Sequence, residues 1–449
     1  MDWSPDDRTL LVQETESVNR SHLWLVDAAT GERTALTPRG ADSVAVASAE
    51  FSPDGRGVLL TTDRDSEFLR LSYMDLATKR VTPLTDGISW DVEAFDVSPD
   101  GRTVAFAANE EGISRLYLLD VASGRYHRVE SVPVGVITDV RWHRSGAEVA
   151  FSLNSARSPN DTYSVDPRTS ELTRWTESEL GGLVASELSE PVLVRWPSFD
   201  GRSISGFLYR PPARFTGRRP VIINIHGGPE QQARPVFMAR NNYYINELGI
   251  AILYPNVRGS TGFGKTFVKL DNGMKREESV QDIGALLDWI AAQPDLDPQR
   301  VMVLGGSYGG YMTLATAATY TDRICCAVDL VGISHFGTFL RSTESYRRDL
   351  RRAEYGDERD PAMAAYFDRI SPLNNAARIR RPLFVVQGGN DPRVPLSEAE
   401  QILARVQQVG TPVWYLMARD EGHGFRKKGN VDYLFYATVM FIRQNLLAE

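Results

Sequence analysis

Residues 301–316 read VMVLGGSYGGYMTLAT: an apolar run, a serine between paired glycines, and a segment with the composition of a helix. An apolar strand, then G-x-S-x-G, then a helix is typical of a nucleophile elbow, where glycines avoid collisions in a tight turn. The same residues also fit a turn that only packs a helix against a sheet. The rest of the chain must therefore supply a base, an acid and oxyanion donors before Ser307 can be interpreted as a nucleophile.

The first part of the chain contains four copies of a repeat of about 46 residues. A turn sequence occurs as WSPDD, FSPDG, VSPDG and WHRSG, with its second position at residues 4, 52, 98 and 143. In each copy an alternating strand follows and ends in aspartate, at Asp27, Asp75, Asp120 and Asp166. Because both features keep the same spacing over four copies, they favour propeller blades over a β-sandwich with accidental similarity.

The first of these copies looks incomplete. Only Met1, Asp2 and Trp3 precede its turn, whereas the third copy has a full strand there. We therefore expect an incomplete β-propeller of about four blades, either a shortened form of a longer parent or one that receives the missing strand from elsewhere. For the same reason, the lack of a signal peptide at this end is weak support for the cytoplasmic location that we predict.

From about residue 185 the chain changes to strands that alternate with helices. Continuous apolar strands joined by helices indicate a mostly parallel sheet with helices on both faces, as in an α/β-hydrolase domain. We predict a partial β-propeller over residues 1–184 and an α/β-hydrolase catalytic domain over 185–449. The predicted strands are VIINI (221–225), IAILYP (250–255), VMVLG (301–305), AVDLV (327–331), LFVVQ (383–387) and VWYLM (413–417), and one helix spans 279–290.

Composition excludes several classes of protein. A net charge of −8 and a pI near 5.5 argue against a nucleic-acid partner, which requires a basic face. The two cysteines, Cys325 and Cys326, are adjacent and cannot link distant segments. No apolar run reaches 18 residues, so we expect no transmembrane helix. Nothing in the sequence calls for a metal or a cofactor.

Three residues at predicted strand ends have the order of a catalytic triad. In this fold the acid and then the histidine follow the serine. Asp391 follows LFVVQGGN, and His423 lies in the loop after VWYLM. His335, the other histidine after Ser307, has no suitable acid before it except Asp329. The sequence therefore predicts Ser307 as nucleophile, His423 as its base, and Asp391 as the residue that orients the imidazole.

The oxyanion of the tetrahedral intermediate needs donors that are already in place. The amide of Tyr308, directly after the nucleophile, is one candidate. The second is expected from HGGP at 226–229, which follows a strand and matches the glycine-rich loop of lipases and esterases. We interpret His226 as a structural residue of that loop because it precedes the serine.

A second motif, GSTGFGKT at 259–266, formally matches the phosphate-binding P-loop. A P-loop requires a helix after its lysine and threonine. The turn sequence Asp271-Asn272-Gly273 follows within about one helical turn instead. We therefore do not predict nucleotide binding.

Together these motifs resemble the prolyl oligopeptidase family of serine peptidases, and particularly its acylaminoacyl-peptidase and dipeptidyl-peptidase members. The shared sequences are the SPDG repeats, HGGP, PNVRGSTGFGKTF, GGSYGGYMT, NDPRVP and DEGHGF. The resemblance implies the triad above and an oxyanion hole formed by the amides of Gly228 and Tyr308. It further implies that substrate is bound by Arg393, Val394, Tyr308, Phe336 and Phe339.

Two features depart from the family pattern. Its propellers usually have seven blades, and this chain has about four. Glu110 and Glu111 resemble the acidic pair with which dipeptidyl members hold a free amino terminus, but they lie in a sequence typical of a hairpin turn. We interpret them as solvated turn residues.

The prediction is a serine peptidase that hydrolyses peptide or acyl-peptide bonds of short peptides through an acyl-enzyme. A carboxylesterase with the same triad and a non-catalytic propeller scaffold remain as alternatives. The expected partners are short peptides, without nucleic acid or membrane, and a homo-oligomer is left open.

Overall fold

The computed structural model describes residues 2–38 and 43–448. Met1, which the sequence analysis placed before the first turn, lies outside the described residues. Residue contacts divide the chain into two compact units. The first contains the residues up to Ser186 with Arg234–Phe237 and Thr261–Phe267, and the second contains Glu187–Ala233, Met238–Ser260 and the residues from Val268 onward.

Within the described residues, the first unit has four antiparallel sheets, each of four strands in chain order, as a partial propeller requires. The two-residue strand Asp2–Trp3 supplies the first position of the first blade. The strands are Asp2–Trp3, Thr9–Ser17, Arg20–Asp27 and Arg33–Ala35 (β1–β4); Val46–Phe51, Gly57–Thr62, Arg70–Asp75 and Val81–Pro83 (β5–β8); Asp91–Val97, Thr103–Glu110, Ile113–Asp120 and Tyr126–Arg128 (β9–β12); and Val136–Trp142, Val149–Ser155, Ser158–Val165 and Leu172–Arg174 (β13–β16).

The repeated SPDG sequence forms the hairpin between the first two strands of a blade. In the second blade Ser52 Oγ donates to Asp54 at 2.6 Å and accepts the Gly57 amide at 2.9 Å. Gly55 has φ +68°, a conformation that glycine adopts without steric cost. The serine hydroxyl therefore takes the place of a backbone hydrogen-bonding group inside the turn, which explains why serine recurs at this position.

Each apolar core of this unit lies between successive blades. One cluster joins Leu11 and Leu23 of the first blade to Phe51 and Leu60 of the second. Corresponding clusters join the second blade to the third and the third to the fourth. A single blade could not bury these side chains alone, so the repeat is stable only when stacked.

The second unit contains an eight-stranded sheet of order β17-β18-β20-β19-β21-β22-β23-β24. The β17–β18 and β18–β20 pairs are antiparallel, and the other pairs are parallel. The predicted strands are confirmed, with the nucleophile strand extended backward to Leu296. The strands are Val192–Pro197, Ser203–Tyr209, Arg219–Ile225, Ala251–Asn256, Leu296–Gly306, Cys326–Leu330, Leu383–Gly388 and Val413–Ala418 (β17–β24).

The helices connect and cover these strands. The helix predicted over 279–290 lies inside α3, whose inward face buries Val280, Ile283, Leu287 and Ile290. No helix in the described part of the chain has the length and apolar character needed to cross a membrane. The helices are Asn242–Asn246, Lys265–Val268, Arg276–Ala292, Tyr308–Thr319, Phe336–Ser342, Ser345–Tyr355, Pro361–Ile370, Leu396–Gln408 and Lys428–Ile442 (α1–α9).

The division at 184/185 remains a proposal. The change of contact unit at Ser186 supports it. The assignment of Arg234–Phe237 and Thr261–Phe267 to the first unit shows that two short segments of the later sequence pack with the blades.

Candidate active site

Ser307 lies on the sharp turn between β21 and α4. Its backbone has φ +60° and ψ −119°, a region that side chains other than glycine rarely adopt. The Ser307 amide donates to the Leu330 carbonyl at 2.9 Å, and the Ser307 carbonyl accepts the amides of Gly310 and Tyr311. These bonds hold the residue in a strained conformation between strand and helix, as a nucleophile elbow requires.

The glycines of the elbow are required by close backbone approach. A Cβ atom on Gly305 would collide with the carbonyl oxygen of Gly309. A Cβ atom on Gly309 would collide with the carbonyl oxygen of Ile225 on the neighbouring strand. The G-x-S-x-G pattern is therefore explained by the local packing of β19, β21 and α4.

Asp391 and His423 meet at the ends of β23 and β24. The distance from His423 Nδ1 to Asp391 Oδ2 is 2.7 Å. The other carboxylate oxygen of Asp391 accepts the amides of Arg393 at 2.8 Å and Val394 at 3.0 Å. The Asp391 side chain is fully buried, and that of His423 is 15% exposed. A buried carboxylate in this position fixes the orientation of the imidazole and leaves Nε2 for another partner.

Backbone contacts hold the two loops together. The Asn390 amide donates to the Glu421 carbonyl at 2.8 Å, and the Gly389 amide donates to the Ala418 carbonyl at 2.8 Å. Because β21, β23 and β24 are parallel members of one sheet, Ser307, Asp391 and His423 all follow the carboxyl ends of strands at the same edge. The role of these three residues as a catalytic triad stays a prediction.

The HGGP loop lies against the nucleophile. A Cβ atom built on Gly227 would be 3.4 Å from Ser307 Cβ, and Gly228 has φ +114°. His226 Nε2 is 2.9 Å from Ser260 Oγ, and burial lowers its pKa, so the imidazole is held neutral within the loop. These contacts hold His226 within the loop, and the role of the Gly228 amide toward the oxyanion stays a prediction.

The residues predicted to bind substrate divide into two groups. Arg393 is exposed, and its carbonyl accepts from Thr343 Oγ1 at 2.8 Å. Val394 is buried beside it. Aromatic rings form the second group around Tyr355, which sequence reasoning missed. The centroid of the Tyr355 ring lies 6.0 Å from that of Tyr308, 4.9 Å from that of Phe336 and 6.0 Å from that of Phe339.

Sequence reasoning also missed a buried ionic cluster behind the HGGP loop. Its members come from the loop, from α3 and the turn before it, and from α6. The sequence offered little signal, because α6 (SYRRDLRRAEY) has the charge pattern of a solvated helix and Asp271 belongs to a turn sequence. The members are Glu230, Asp271, Arg276, Arg351 and Glu354.

Two other candidates have local roles. His335 caps α5, with Nδ1 accepting the Gly337 amide, and its Nε2 is 2.9 Å from Asp368 Oδ1. Glu110 ends β10 and accepts from Tyr117 at 2.5 Å, while Glu111 and Gly112 form the hairpin turn. Glu111 thus lies in the predicted turn, whereas Glu110 ends a strand, is half-buried and bonds to Tyr117, so it is not a solvated turn residue.

The P-loop-like motif has a different use. The Lys265 amide donates to the Glu67 carbonyl at 2.9 Å, and both the Thr266 amide and hydroxyl donate to the Glu67 carboxylate. Helix α2 then ends at Val268. Donors that would hold phosphate in a P-loop are therefore occupied by the backbone carbonyl and the carboxylate of Glu67.

Comparisons with known proteins agree with this architecture. The sequence model of the Prolyl oligopeptidase family matches residues 235–448. Dipeptidyl aminopeptidase BIII of Pseudoxanthomonas mexicana is 28% identical over 99% of this chain and 79% of that protein. A solved structure of puromycin hydrolase superimposes with a TM-score of 0.87 and 23% identity, over 99% of this chain and 68% of that one. The acylaminoacyl peptidase of Pyrococcus horikoshii gives a TM-score of 0.78 and 21% identity, over 98% of this chain and 69% of that one.

A propeller-type first unit and a sheet with a serine on its nucleophile elbow define a propeller-bearing α/β-hydrolase. The part of the chain that carries Ser307, Asp391 and His423 matches the sequence model of the prolyl oligopeptidase family, and relatives of this kind match nearly the whole chain. The fold, the resemblance to this family and the peptidase class predicted from the sequence are confirmed.

Proposed function

We propose that this chain cleaves short peptides through an acyl-enzyme on Ser307, with His423 as general base and Asp391 as its orienting acid. The single observation that carries the proposal is the 2.7 Å bond between His423 Nδ1 and the buried Asp391, at the sheet edge where Ser307 occupies a strained elbow. A neutral serine is a poor nucleophile, so this arrangement of base and carboxylate supplies what the attack needs.

The reaction follows from these positions. Ser307 Oγ attacks the carbonyl carbon of the scissile bond, and its proton passes to His423 Nε2. The oxyanion accepts the amides of Gly228 and Tyr308, the latter at the start of α4 where helical amides lack intrahelical partners. Collapse breaks the C–N bond, and His423 returns the proton to the leaving amine. Water then attacks the acyl-enzyme by the reverse sequence and releases the acid.

The substrates we propose are short peptides with a free or an acylated amino terminus. The names of the relatives support both: one is a dipeptidyl aminopeptidase, and another is an acylaminoacyl peptidase. We propose that Arg393 contacts a substrate carbonyl, because it is exposed two residues after Asp391. Val394, Tyr308, Phe336 and Phe339 would line the pocket for the residue before the scissile bond.

The test measures hydrolysis of dipeptidyl and acetyl-aminoacyl coumarin amides beside a simple p-nitrophenyl ester. Wild type should cleave at least one of the amides, and Ser307→Ala should cleave neither amide nor ester. Ser397→Ala, an exposed serine on α8, is the matched control and should retain full activity. Ester turnover without amide turnover would favour a carboxylesterase and contradict the proposal.

A further inference from the structure

Helix α6 delivers two donors to one carbonyl oxygen of the HGGP loop. Tyr355 Oη donates to the Gly228 carbonyl at 2.8 Å, and Arg351 Nη1 donates to the same oxygen at 3.2 Å. The two residues are four apart, so they lie on the same face of the helix. Gly228 is also the residue whose amide we assign to the oxyanion.

Gly228 needs such support because of its own conformation. Its φ of +114° is open to glycine alone, and a Cβ there would lie 2.5 Å from the Glu230 amide nitrogen. Glycine has no side chain that packing can hold, and its backbone is the most flexible of any residue. The orientation of the peptide groups at Gly228 therefore depends on the hydrogen bonds made to them.

Arg351 is itself fixed by two carboxyl groups. Its Nη1 lies 2.8 Å from Glu230 Oε2 and 2.9 Å from Glu354 Oε2, and both side chains are nearly buried. Burial and then the charge of Glu230 raise the pKa of Glu354 well above its usual range. Burial opposes ionisation of Glu230, but the hydrogen bond with Glu354 and the Arg351 charge outweigh it and lower the pKa of Glu230. Within the acid pair, Glu354 therefore favours its protonated form and Glu230 its charged form.

The same cluster reaches the second oxyanion residue. Tyr308 Oη donates to Asp271 Oδ2 at 3.1 Å, and Arg276 Nη1 lies 2.5 Å from that oxygen. Arg276 Nη2 donates to the Glu354 carbonyl at 3.0 Å. The Arg276 guanidinium carbon also lies 5.2 Å from the ring centre of Tyr308 and 5.0 Å from that of Tyr355. One connected set of side chains thus holds both residues that supply oxyanion amides.

Such a cluster is a costly way to stabilise a fold. Buried ion pairs lose their hydration, and well-packed apolar side chains often serve stability as well or better. Hydrogen bonds between buried polar groups do, however, define one geometry more strictly than apolar contacts do. In this cluster the bonds to the Gly228 carbonyl are made, whereas Asp271 Oδ1, Arg276 Nε and Glu354 Oε1 have no hydrogen-bond partner among the described residues. That property matters most where amides must already point at the charge that develops in the transition state.

We propose that Arg351 and Tyr355 are positioning residues of the oxyanion hole, which they align through the Gly228 carbonyl. The inference rests on the proposed function of Ser307 and Gly228. Neither residue donates to the oxyanion itself, and Glu230 and Glu354 act by holding Arg351. Loss of the alignment lowers transition-state stabilisation and leaves ground-state substrate binding unchanged.

Tyr355→Phe is the primary test because it removes one hydroxyl and keeps the ring. We expect kcat on the best peptide amide to fall about 10- to 100-fold with KM within about twofold, as for a catalytic group displaced by a fraction of an ångström. Affinity for a peptide boronate, which forms a tetrahedral adduct, should fall in parallel. Thermal stability should be unchanged. Tyr436→Phe, a 66% exposed tyrosine on α9, should match wild type in all three measurements.

Two outcomes would overturn the inference. An unchanged kcat would show that the hydroxyl does not align the loop. A raised KM with unchanged kcat would make Tyr355 a substrate contact instead. If Ser307→Ala retained amide hydrolysis, the proposed function would fail first. If Ser307→Ala were inactive while Tyr355→Phe kept the wild-type kcat, the present inference alone would fail.

Arg351 provides an independent test. Arg351→Lys keeps a charged donor group and should retain a higher kcat than Arg351→Met. The control is Arg359→Met, at a 65% exposed arginine just beyond α6, which should leave kcat unchanged. Both donors act on one carbonyl, so their effects should overlap. The fold-loss of kcat in the double variant Arg351→Lys, Tyr355→Phe should therefore be smaller than the product of the fold-losses in the two single variants. If the fold-loss of kcat in the double variant equalled that product, the two side chains would not act on the same carbonyl.

Discussion

Asp391 uses both of its carboxylate oxygens, and each has a separate task. Oδ1 accepts two backbone amides, while Oδ2 accepts His423 Nδ1. An asparagine can present an oxygen to only one of these groups, and its NH₂ must then face a donor or force the other imidazole tautomer. The residue is therefore intolerant of a change that barely alters its shape.

Asp391→Asn is expected to lower kcat by about 10⁴-fold while the protein stays folded, because the imidazole no longer holds the tautomer that accepts the serine proton. The measurement is amide hydrolysis with circular dichroism as the check on folding. Asp349→Asn, at an 87% exposed aspartate on α6, is the control. A loss of less than tenfold would mean that Asp391 does not orient the base.

Asp329 lies on β22 beneath the elbow and is the other informative carboxyl at this scale. It is fully buried, and its Oδ1 has no hydrogen-bond partner among the described residues. Burial raises the pKa of Asp329 to about 7, the Gly332 amide opposes the rise, and the charge of Glu398 adds to it. The folded state therefore favours the protonated acid.

The sign of the pH dependence follows. The pKa of Asp329 in the folded protein exceeds its unfolded value of 3.8. Asp329 therefore makes its full contribution to the free energy of unfolding below pH 3.8, and this contribution is lost as the pH rises to about 7. Asp329→Asn should remove this part of the pH dependence, up to about 4 kcal/mol of unfolding free energy. Urea unfolding at pH 4 to 8 tests it, with the 75% exposed Asp322→Asn as control. Parallel curves for wild type and Asp329→Asn would contradict it.

At the scale of elements, the unit of β21, the elbow and α4 depends on backbone approach that no side chain can occupy. Gly309→Ala should destabilise the protein by about 1–3 kcal/mol and abolish activity, because its Cβ would displace α4 from the Ile225 carbonyl. Gly429→Ala on α9 meets nothing within 4 Å and should be neutral or slightly stabilising. The comparison uses thermal unfolding and amide hydrolysis. Equal effects of the two substitutions would refute the packing argument.

The elements that the sequence predicted share one property, which is that their signals are local. The SPDG turns are defined within five residues, and the parallel strands are apolar runs bounded by turns. Ser307, Asp391 and His423 are proposed as the triad because each follows such a strand, in the order along the chain that this fold requires. The turn sequence Asp271-Asn272-Gly273, which leaves no room for a long helix after Lys265 and Thr266, was also visible in sequence.

The contacts that the sequence could not predict join distant residues. Tyr355 and Gly228 are 127 residues apart, and Arg351 and Glu230 are 121 apart. Arg351 and Glu354 fit the pattern of an exposed helix, and only the fold shows that this face of α6 is buried against the HGGP loop. Periodicity detects apolar faces, so a buried face made of charges escapes it.

In the whole molecule, the first unit is built from sequence repeats and the second is not, and the two units bury their apolar side chains in different ways. Three apolar clusters of the described residues join successive blades, while the second unit builds one sheet whose carboxyl edge carries the proposed reactive groups. The claim on which the rest of the account depends is that this edge carries a nucleophile at Ser307.

The most direct test is to treat the purified protein with a fluorophosphonate and locate the adduct by mass spectrometry of its peptides. We expect a single adduct, on Ser307, that forms in step with the loss of amide hydrolysis and is absent from Ser307→Ala. An adduct on another residue, or undiminished labelling of Ser307→Ala, would contradict it.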